Sequence, residues 1–152
     1  MEGSLNRIAL TATLHCLTGC AIGEVLGMVI ATGLGWHDAA SIALAIVLAF
    51  AFGYSFTMFP LLRGGLPLRR ALSTAFAADT VSISVMEIVD NAFIIIVPGA
   101  LAAGLDDGLF WWSLGIGLFL AFWAAFPVNR WMIARGRGCA HGHGHAHAHV
   151  HN

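Results

Sequence analysis

Hydrophobic residues occur along the chain in four long runs that are separated by short polar breaks. The runs cover residues 8–34, 40–62, 71–105 and 109–134. Each is long enough for a membrane-spanning helix, which needs about 20 predominantly apolar residues. Helices are the expected form, because lipid offers no partner to unpaired backbone groups and four segments are too few for a closed β-barrel. The pattern therefore predicts an all-α integral membrane protein with four transmembrane helices.

The composition supports a lipid environment. Hydrophobic residues make up 59% of the chain and charged residues only 10%, whereas soluble domains carry about 25% charged residues. This small number of charged side chains cannot cover the surface of a protein in water. The lipid bilayer is therefore the expected partner, and nucleic acid is not. We expect a transmembrane domain over residues 1–136, followed by a flexible histidine-rich tail over residues 137–152.

The arginines predict the orientation of the chain. With four spans, one face of the membrane is shared by the N-terminus, residues 63–70 and the tail. The two breaks on the opposite face, residues 35–38 and 105–108, contain acids but neither Lys nor Arg. The basic residues of the shared face are Arg7, Arg63, Arg69, Arg70, Arg130, Arg135 and Arg137. The positive-inside rule then predicts a multi-pass protein of an inner (cytoplasmic) membrane with both termini in the cytoplasm.

A short motif recurs at the ends of the second and fourth runs. Residues 59–63 and 126–130 both read F-P-x-x-R. Two parallel-related helical hairpins would produce such a repeat. Proline and arginine are also common at helix ends near the lipid headgroups, so both interpretations stay open.

A glycine ridge predicts close packing of the first helix. Gly19, Gly23 and Gly27 are spaced four residues apart. Small residues at this spacing let two helices approach closely in a membrane. The sequence does not identify the partner helix.

The first candidate site lies on the same helix and comprises His15, Cys16, Cys20, Glu24 and Met28. Successive members from Cys16 onward are one turn apart, so they form a stripe along one side. Thiolates and thioethers suit Cu(I), and thiolate with imidazole suits Zn²⁺. Cysteine and methionine are also ordinary packing residues. Glu24 favours a function, because a carboxylate in mid-span is costly.

The second candidate site occupies an arc of about 140° on the third predicted helix: Asp79, Met86, Glu87, Asp90 and Asn91. The first and third helices run in the same direction, which puts Cys16 level with Asp79. By the same count, Glu24 approaches the depth of Glu87 and Asp90. Three carboxylates near one depth repel one another, so a shared cation or shared protons are expected. A structural cluster capped by hydroxyls or arginine is the alternative.

The third candidate site is the tail. It offers alternating imidazoles and one thiol in an extended chain, and imidazole is the commonest transition-metal ligand. An engineered tag is the alternative interpretation. The residues are Cys139, His141, His143, His145, His147, His149 and His151.

The run Leu-His-Cys-Leu-Thr-Gly-Cys-Ala-Ile-Gly-Glu over residues 14–24 resembles a bacterial family of small four-helix membrane proteins, which is classed as a domain of unknown function. The resemblance covers the four-span body. It implies a self-contained membrane domain with a native histidine-rich extension, and it implies no activity.

Together, the three sites predict transition-metal handling, with a metal-ion transporter or permease as the leading hypothesis. The expected ion is Cu, Zn, Ni, Co or Fe. A homo-oligomer is expected because four helices alone make a thin wall around an ion pathway. A cytosolic metal carrier is a candidate partner. A non-transporting sensor, store or accessory protein and a proton or cation channel are the alternatives. An enzyme is not expected, although a thiol oxidoreductase or an intramembrane hydrolase stays open; the C-x-x-x-C spacing disfavours the former.

Overall fold

Four α-helices account for most of the chain. The structure is a computed structural model that describes residues 2–36 and 38–135. Its helices are α1 (Glu2–Leu34), α2 (Asp38–Arg63), α3 (Leu68–Ile96) and α4 (Gly108–Ala134). The predicted all-α membrane fold is confirmed: α1, α4 and the Ala39–Arg63 part of α2 are long and apolar enough to cross a membrane. The acid-bearing α3 is 29 residues long and is not among them.

The glycine ridge of α1 packs against α2. A Cβ at Gly19 would lie 2.7 Å from the backbone nitrogen of Gly53, and a Cβ at Gly23 would collide with the backbone of Ala49. Gly27 is equally close to α2 farther along the helix. Because the contacts advance along α1 as they go back along α2, these two helices are antiparallel.

Helices α1 and α3 form the centre of the bundle, since each of them contacts the other three helices, and α2 and α4 lie outside this pair. The outer helices are joined to their neighbours by polar contacts. The Tyr54 hydroxyl lies 2.8 Å from the Thr80 hydroxyl and links α2 to α3. Arg130 Nε donates to Asn6 Oδ1 at 2.6 Å and ties the end of α4 to the start of α1. The arginine-bearing helix ends therefore meet at one end of the bundle, and the junctions at residues 35–38 and 97–107 lie at the other.

Helix α3 turns its polar arc inward. Asp79, Glu87 and Asp90 are buried, whereas Val81 and Ile88 on the other side are exposed. This arrangement confirms the predicted division of the helix into a polar face towards the protein and an apolar face away from it.

The connection between α3 and α4 corrects the sequence-based boundary. The hydrophobic run ending at Leu105 predicts a four-residue break at residues 105–108, but the helix stops at Ile96 and residues 97–107 are not helical. The reason is local, because a residue before proline avoids the helical conformation and Pro98 follows Val97 directly. Gly99 then adopts a φ of 82°, which glycine does without strain. Apolar residues of this segment cover the end of the bundle instead of extending α3.

Candidate functional site

A cavity of about 360 Å³ opens between the helices at the end where α1 stops. Residues 100–104 form part of its wall together with Trp36. Deeper in, its lining is polar and includes Glu24, Glu87, Asp90, Asn91 and Ser113 with the thioether of Met28. We call this the carboxylate cavity. It joins the two predicted polar stripes within one chain.

The three carboxyl groups of the cavity are almost fully buried. Their residues are 9% (Glu24), 5% (Glu87) and 1% (Asp90) exposed. Glu87 Oε2 accepts a hydrogen bond from Asn91 Nδ2 at 3.3 Å. Both oxygens of Glu24, both of Asp90 and Oε1 of Glu87 have no hydrogen-bond partner among the described residues. Buried carboxylates without donors are costly, by several kcal/mol for each ion, so this arrangement requires protons or a cation.

The acids are also near one another. Glu24 interacts electrostatically with both Asp90 and Glu87. The arginines of the chain lie outside residues 8–62 and 71–129, and the chain has no lysine, so none of the three is neutralised by a basic neighbour. A Cβ on Gly117 of α4 would collide with Asp90 Oδ1. Glycine at this position gives the Asp90 carboxyl group its room.

A second polar group lies farther towards the arginine-bearing end, and we call it the cysteine cluster: Thr13, Cys16, Asp79, Asn129 and Met132. Cys16 Sγ donates to Asp79 Oδ1 at 3.6 Å, and Asn129 Nδ2 donates to Thr13 Oγ1 at 2.9 Å. A small cavity of about 10 Å³ is lined by Cys16, Asp79, Asn129 and Met132. Asp79 is 3% exposed, and its Oδ2 has no hydrogen-bond partner among the described residues.

Sulfur-containing residues connect the two groups. The Cys20 thiol lies beside the Glu87 carboxyl group. Met86 packs with Cys16 and Cys20 in the buried core, around Ile83. Neither Cys16 nor Cys20 is part of a disulfide.

The depths estimated from the sequence are confirmed. Cys16 contacts Asp79, and Glu24 meets Glu87 and Asp90. Contacts that advance in the same direction along both helices make α1 and α3 parallel, as the helix count predicts.

One predicted ligand that the structure describes, His15, is not brought to either group. His15 is exposed on α1 and does not line the carboxylate cavity or the small cavity. Cys139 and the histidines of the tail lie outside the described residues. Within residues 2–36 and 38–135, no three His, Cys, Asp or Glu side chains are arranged so that they could hold a metal ion.

Sequence reasoning missed the contribution of α4. Its buried face carries small or polar residues every fourth position: Ser113, Gly117, Ala121, Ala125 and Asn129. This spacing is visible in the sequence and is typical of a helix that packs closely against polar partners. The buried hydroxyl of Thr13 on α1 was also missed, because Thr is common in membrane helices.

Comparison with known proteins gives one assignment. No curated protein and no solved structure matches the chain. A family model described as a domain of unknown function, DUF4396, matches residues 6–138 and therefore nearly all of the four-helix body. The chain belongs to the DUF4396 family.

Proposed function

We propose that this protein handles transition-metal ions in the membrane, as a permease whose carboxylate cavity takes up the ion. The observation that carries the proposal is the set of three buried acids, Glu24, Glu87 and Asp90, whose oxygens mostly lack partners and line a cavity open at one end of the bundle. Ionisable residues inside a membrane protein are expensive and usually mark an ion or proton pathway.

The neighbouring sulfur atoms favour a transition metal over a simple alkali ion. Met28 lines the same cavity, and Cys20 lies beside Glu87. Thioether and thiolate are soft ligands that select such metals, whereas alkali and alkaline-earth ions prefer oxygen. The histidine-rich tail supports the same choice as a place where metal is concentrated.

The proposed path requires a fourth membrane crossing. Helix α3 runs parallel to α1 and beside it, and its exposed face is apolar, so we propose that it crosses the membrane with the other three. With the arginine-bearing end in the cytoplasm, the carboxylate cavity opens on the outer side of the bacterial inner membrane. We further propose a homo-oligomer that closes the path laterally and a cytosolic metal carrier as partner.

A proton or simple cation channel is the second candidate. It is favoured by the pairing of Glu24 with Asp90, because two facing carboxyl groups without another donor can share a proton. A metal-binding protein that does not transport is the third.

The test is zinc uptake into proteoliposomes that contain a zinc-sensitive dye. Glu24→Gln and Asp90→Asn each remove one charged ligand of about 1.5–3 kcal/mol, so uptake should fall by about tenfold or more. Asp106→Asn is the matched control, since this carboxylate is exposed and lies outside the cavity lining. It should retain the uptake of the unmodified protein.

The alternatives give different results in the same vesicles. Zinc uptake no faster than in protein-free vesicles would contradict the permease. Proton flux without zinc uptake, lost in Glu24→Gln, would support the channel. If the purified protein binds zinc but the vesicles show neither zinc uptake nor proton flux, the protein is a metal binder that does not transport.

A further inference from the structure

We infer that the cysteine cluster is a second, separate metal site that holds a thiophilic divalent cation between Cys16 and Asp79, with Asn129 and Met132 completing its surroundings. This inference rests on the proposed metal handling and divides it into two stations: the carboxylate cavity at one end and the cysteine cluster nearer the arginine-bearing end.

The spacing of the two principal ligands suits one ion. Cys16 Sγ and Asp79 Oδ1 are 3.6 Å apart. A zinc ion bound at about 2.3 Å from sulfur and about 2.0 Å from oxygen, with a tetrahedral angle between the bonds, separates these ligands by about 3.5 Å. The pair can therefore bind one ion with almost no movement of either side chain.

The space and the remaining ligands are also suitable. The cavity between Cys16, Asp79, Asn129 and Met132 measures about 10 Å³, close to the smallest volume that holds one water-sized particle. Asp79 Oδ2 lacks a hydrogen-bond partner among the described residues, and the Asp79 residue is only 3% exposed. The amide of Asn129 and the thioether of Met132 are neutral ligands that leave the charge of the ion unchanged.

Charge balance identifies the class of ion. A thiolate and a carboxylate together carry two negative charges, which a divalent cation neutralises. The Cys16 thiol proton is released when the S–metal bond forms, so binding weakens as the pH falls. Sulfur favours Zn²⁺ and its spectroscopic substitute Co²⁺ over Mg²⁺ or Ca²⁺.

The test uses the full-length chain with Cys20→Ser and Cys139→Ser, so that Cys16 is the only thiol. Titration with Co²⁺ in detergent should produce thiolate-to-cobalt charge-transfer absorption, which the imidazoles of the tail do not give. Adding Asp79→Asn should weaken the Co²⁺ affinity read from this band by about tenfold or more, the loss expected for one charged ligand. The inference would be overturned if the single-thiol protein gave no band, or if Asp79→Asn left the Co²⁺ affinity unchanged.

A further pair of substitutions separates this site from the carboxylate cavity. Glu24→Gln with Asp90→Asn, introduced into the single-thiol protein, should leave the cobalt band unchanged. If vesicles with the unmodified protein take up zinc no faster than protein-free vesicles while the cobalt band is present in the single-thiol protein, the permease is contradicted and the separate site is kept. A band lost with these two substitutions would show that no separate site exists.

A second measurement avoids any change at Asp79, in case Asp79→Asn does not fold. Zn²⁺ added to the single-thiol protein should displace Co²⁺ and remove the charge-transfer band, whereas an equal concentration of Mg²⁺ should leave the band in place, because a thiolate ligand favours Zn²⁺ over Mg²⁺. A band that persists at saturating Zn²⁺, or one that Mg²⁺ removes as readily, would contradict the site.

Discussion

The carboxylate cavity and the cysteine cluster share helices α1, α3 and α4, yet they differ in openness and in ligand chemistry, and α2 adds to the lining of the cavity. Their positions on α1, Glu24 and Cys16, are about 12 Å apart along the helix axis. The cavity has about 360 Å³ and three carboxyl groups set in a mainly apolar lining, whereas the cluster encloses about 10 Å³ around one thiol. In the proposed function, the open cavity would exchange ions rapidly and the closed cluster would bind them more tightly.

The difference arises from what faces the α1–α3 pair at each depth. At the cavity, α4 presents Ser113 and Gly117, whose small size leaves space. At the cluster, it presents Asn129 and Met132, which fill the space and contribute polar atoms. A stripe of residues along one helix therefore determines how much room each group has.

The largest expected effect comes from filling the space at Gly117. In Gly117→Ala, the new methyl group would collide with Asp90 Oδ1, so the carboxyl group must turn away from its present position. We expect zinc uptake to fall by about tenfold, equivalent to about 1.4 kcal/mol, while the cobalt band of the cysteine cluster is unchanged.

Gly115→Ala is the control for this change on the same helix. A Cβ at Gly115 meets nothing within 4 Å, and alanine favours the helix over glycine by up to about 1 kcal/mol. Equal uptake in both variants would contradict the role assigned to Gly117. Loss of the cobalt band in Gly117→Ala would mean that the two groups are not independent.

A smaller effect is expected from the hydrogen bond that closes the cysteine cluster. Thr13 Oγ1 accepts from Asn129 Nδ2 at 2.9 Å and donates to Ala9 O at 2.7 Å. Thr13→Val keeps the shape but leaves the Asn129 amide without this acceptor, so the free energy of unfolding should fall by about 1 kcal/mol. The measurement is unfolding by SDS titration.

Thr18→Val controls for the loss of a hydroxyl from the same helix. The Thr18 hydroxyl is exposed and donates to Leu14 O within α1, so its removal should change the unfolding free energy by less than about 0.5 kcal/mol. Thr13→Val should not change the initial rate of zinc uptake, because Thr13 does not line the carboxylate cavity. A loss of stability no larger than that of Thr18→Val would show that α4 does not hold the cluster together.

The periodicity of the sequence was sufficient to predict the inward stripe of α1 and the polar arc of α3. Because both helices are regular, counting residues from the same end also placed Cys16 beside Asp79. The rotation of α4 was harder to predict, because apolar residues surround this helix and only the spacing of its small residues indicates the buried face. The sequence also could not show that Gly117, a residue without a side chain, leaves room for the carboxyl group of Asp90.

The end of α3 illustrates a different reason for failure. Residues 92–105 contain no polar or charged side chain, so a pattern of apolar residues predicts that the third span continues to Leu105. Pro98 and Gly99 override this pattern through backbone geometry. The apolar residues that follow pack back onto the bundle, where Ala100 and Ala103 are buried, and this return gives the carboxylate cavity its wall.

The smallest expected effect concerns that wall. Trp111 Nε1 donates to Leu105 O at 2.9 Å and fastens residues 97–107 to the start of α4. Trp111→Phe keeps the ring but removes the donor, and Trp111 is about half exposed, so we expect a cost of about 0.5 kcal/mol. Hydrogen exchange at the amides of Ala102 and Ala103, which bond within the segment, should become about twofold faster.

Trp112→Phe is the matched control, because this neighbouring indole is 71% exposed and lies outside the lining of the carboxylate cavity. Its exchange rates at the two amides should equal those of the unmodified protein. Since the cysteine cluster is far from this segment, neither substitution should alter the cobalt band. If exchange were also faster in Trp112→Phe, packing of the indole rings, and not the Trp111 hydrogen bond, would fix residues 97–107 to the start of α4. The openness of the carboxylate cavity would then depend on packing at the bundle end and not on one polar contact.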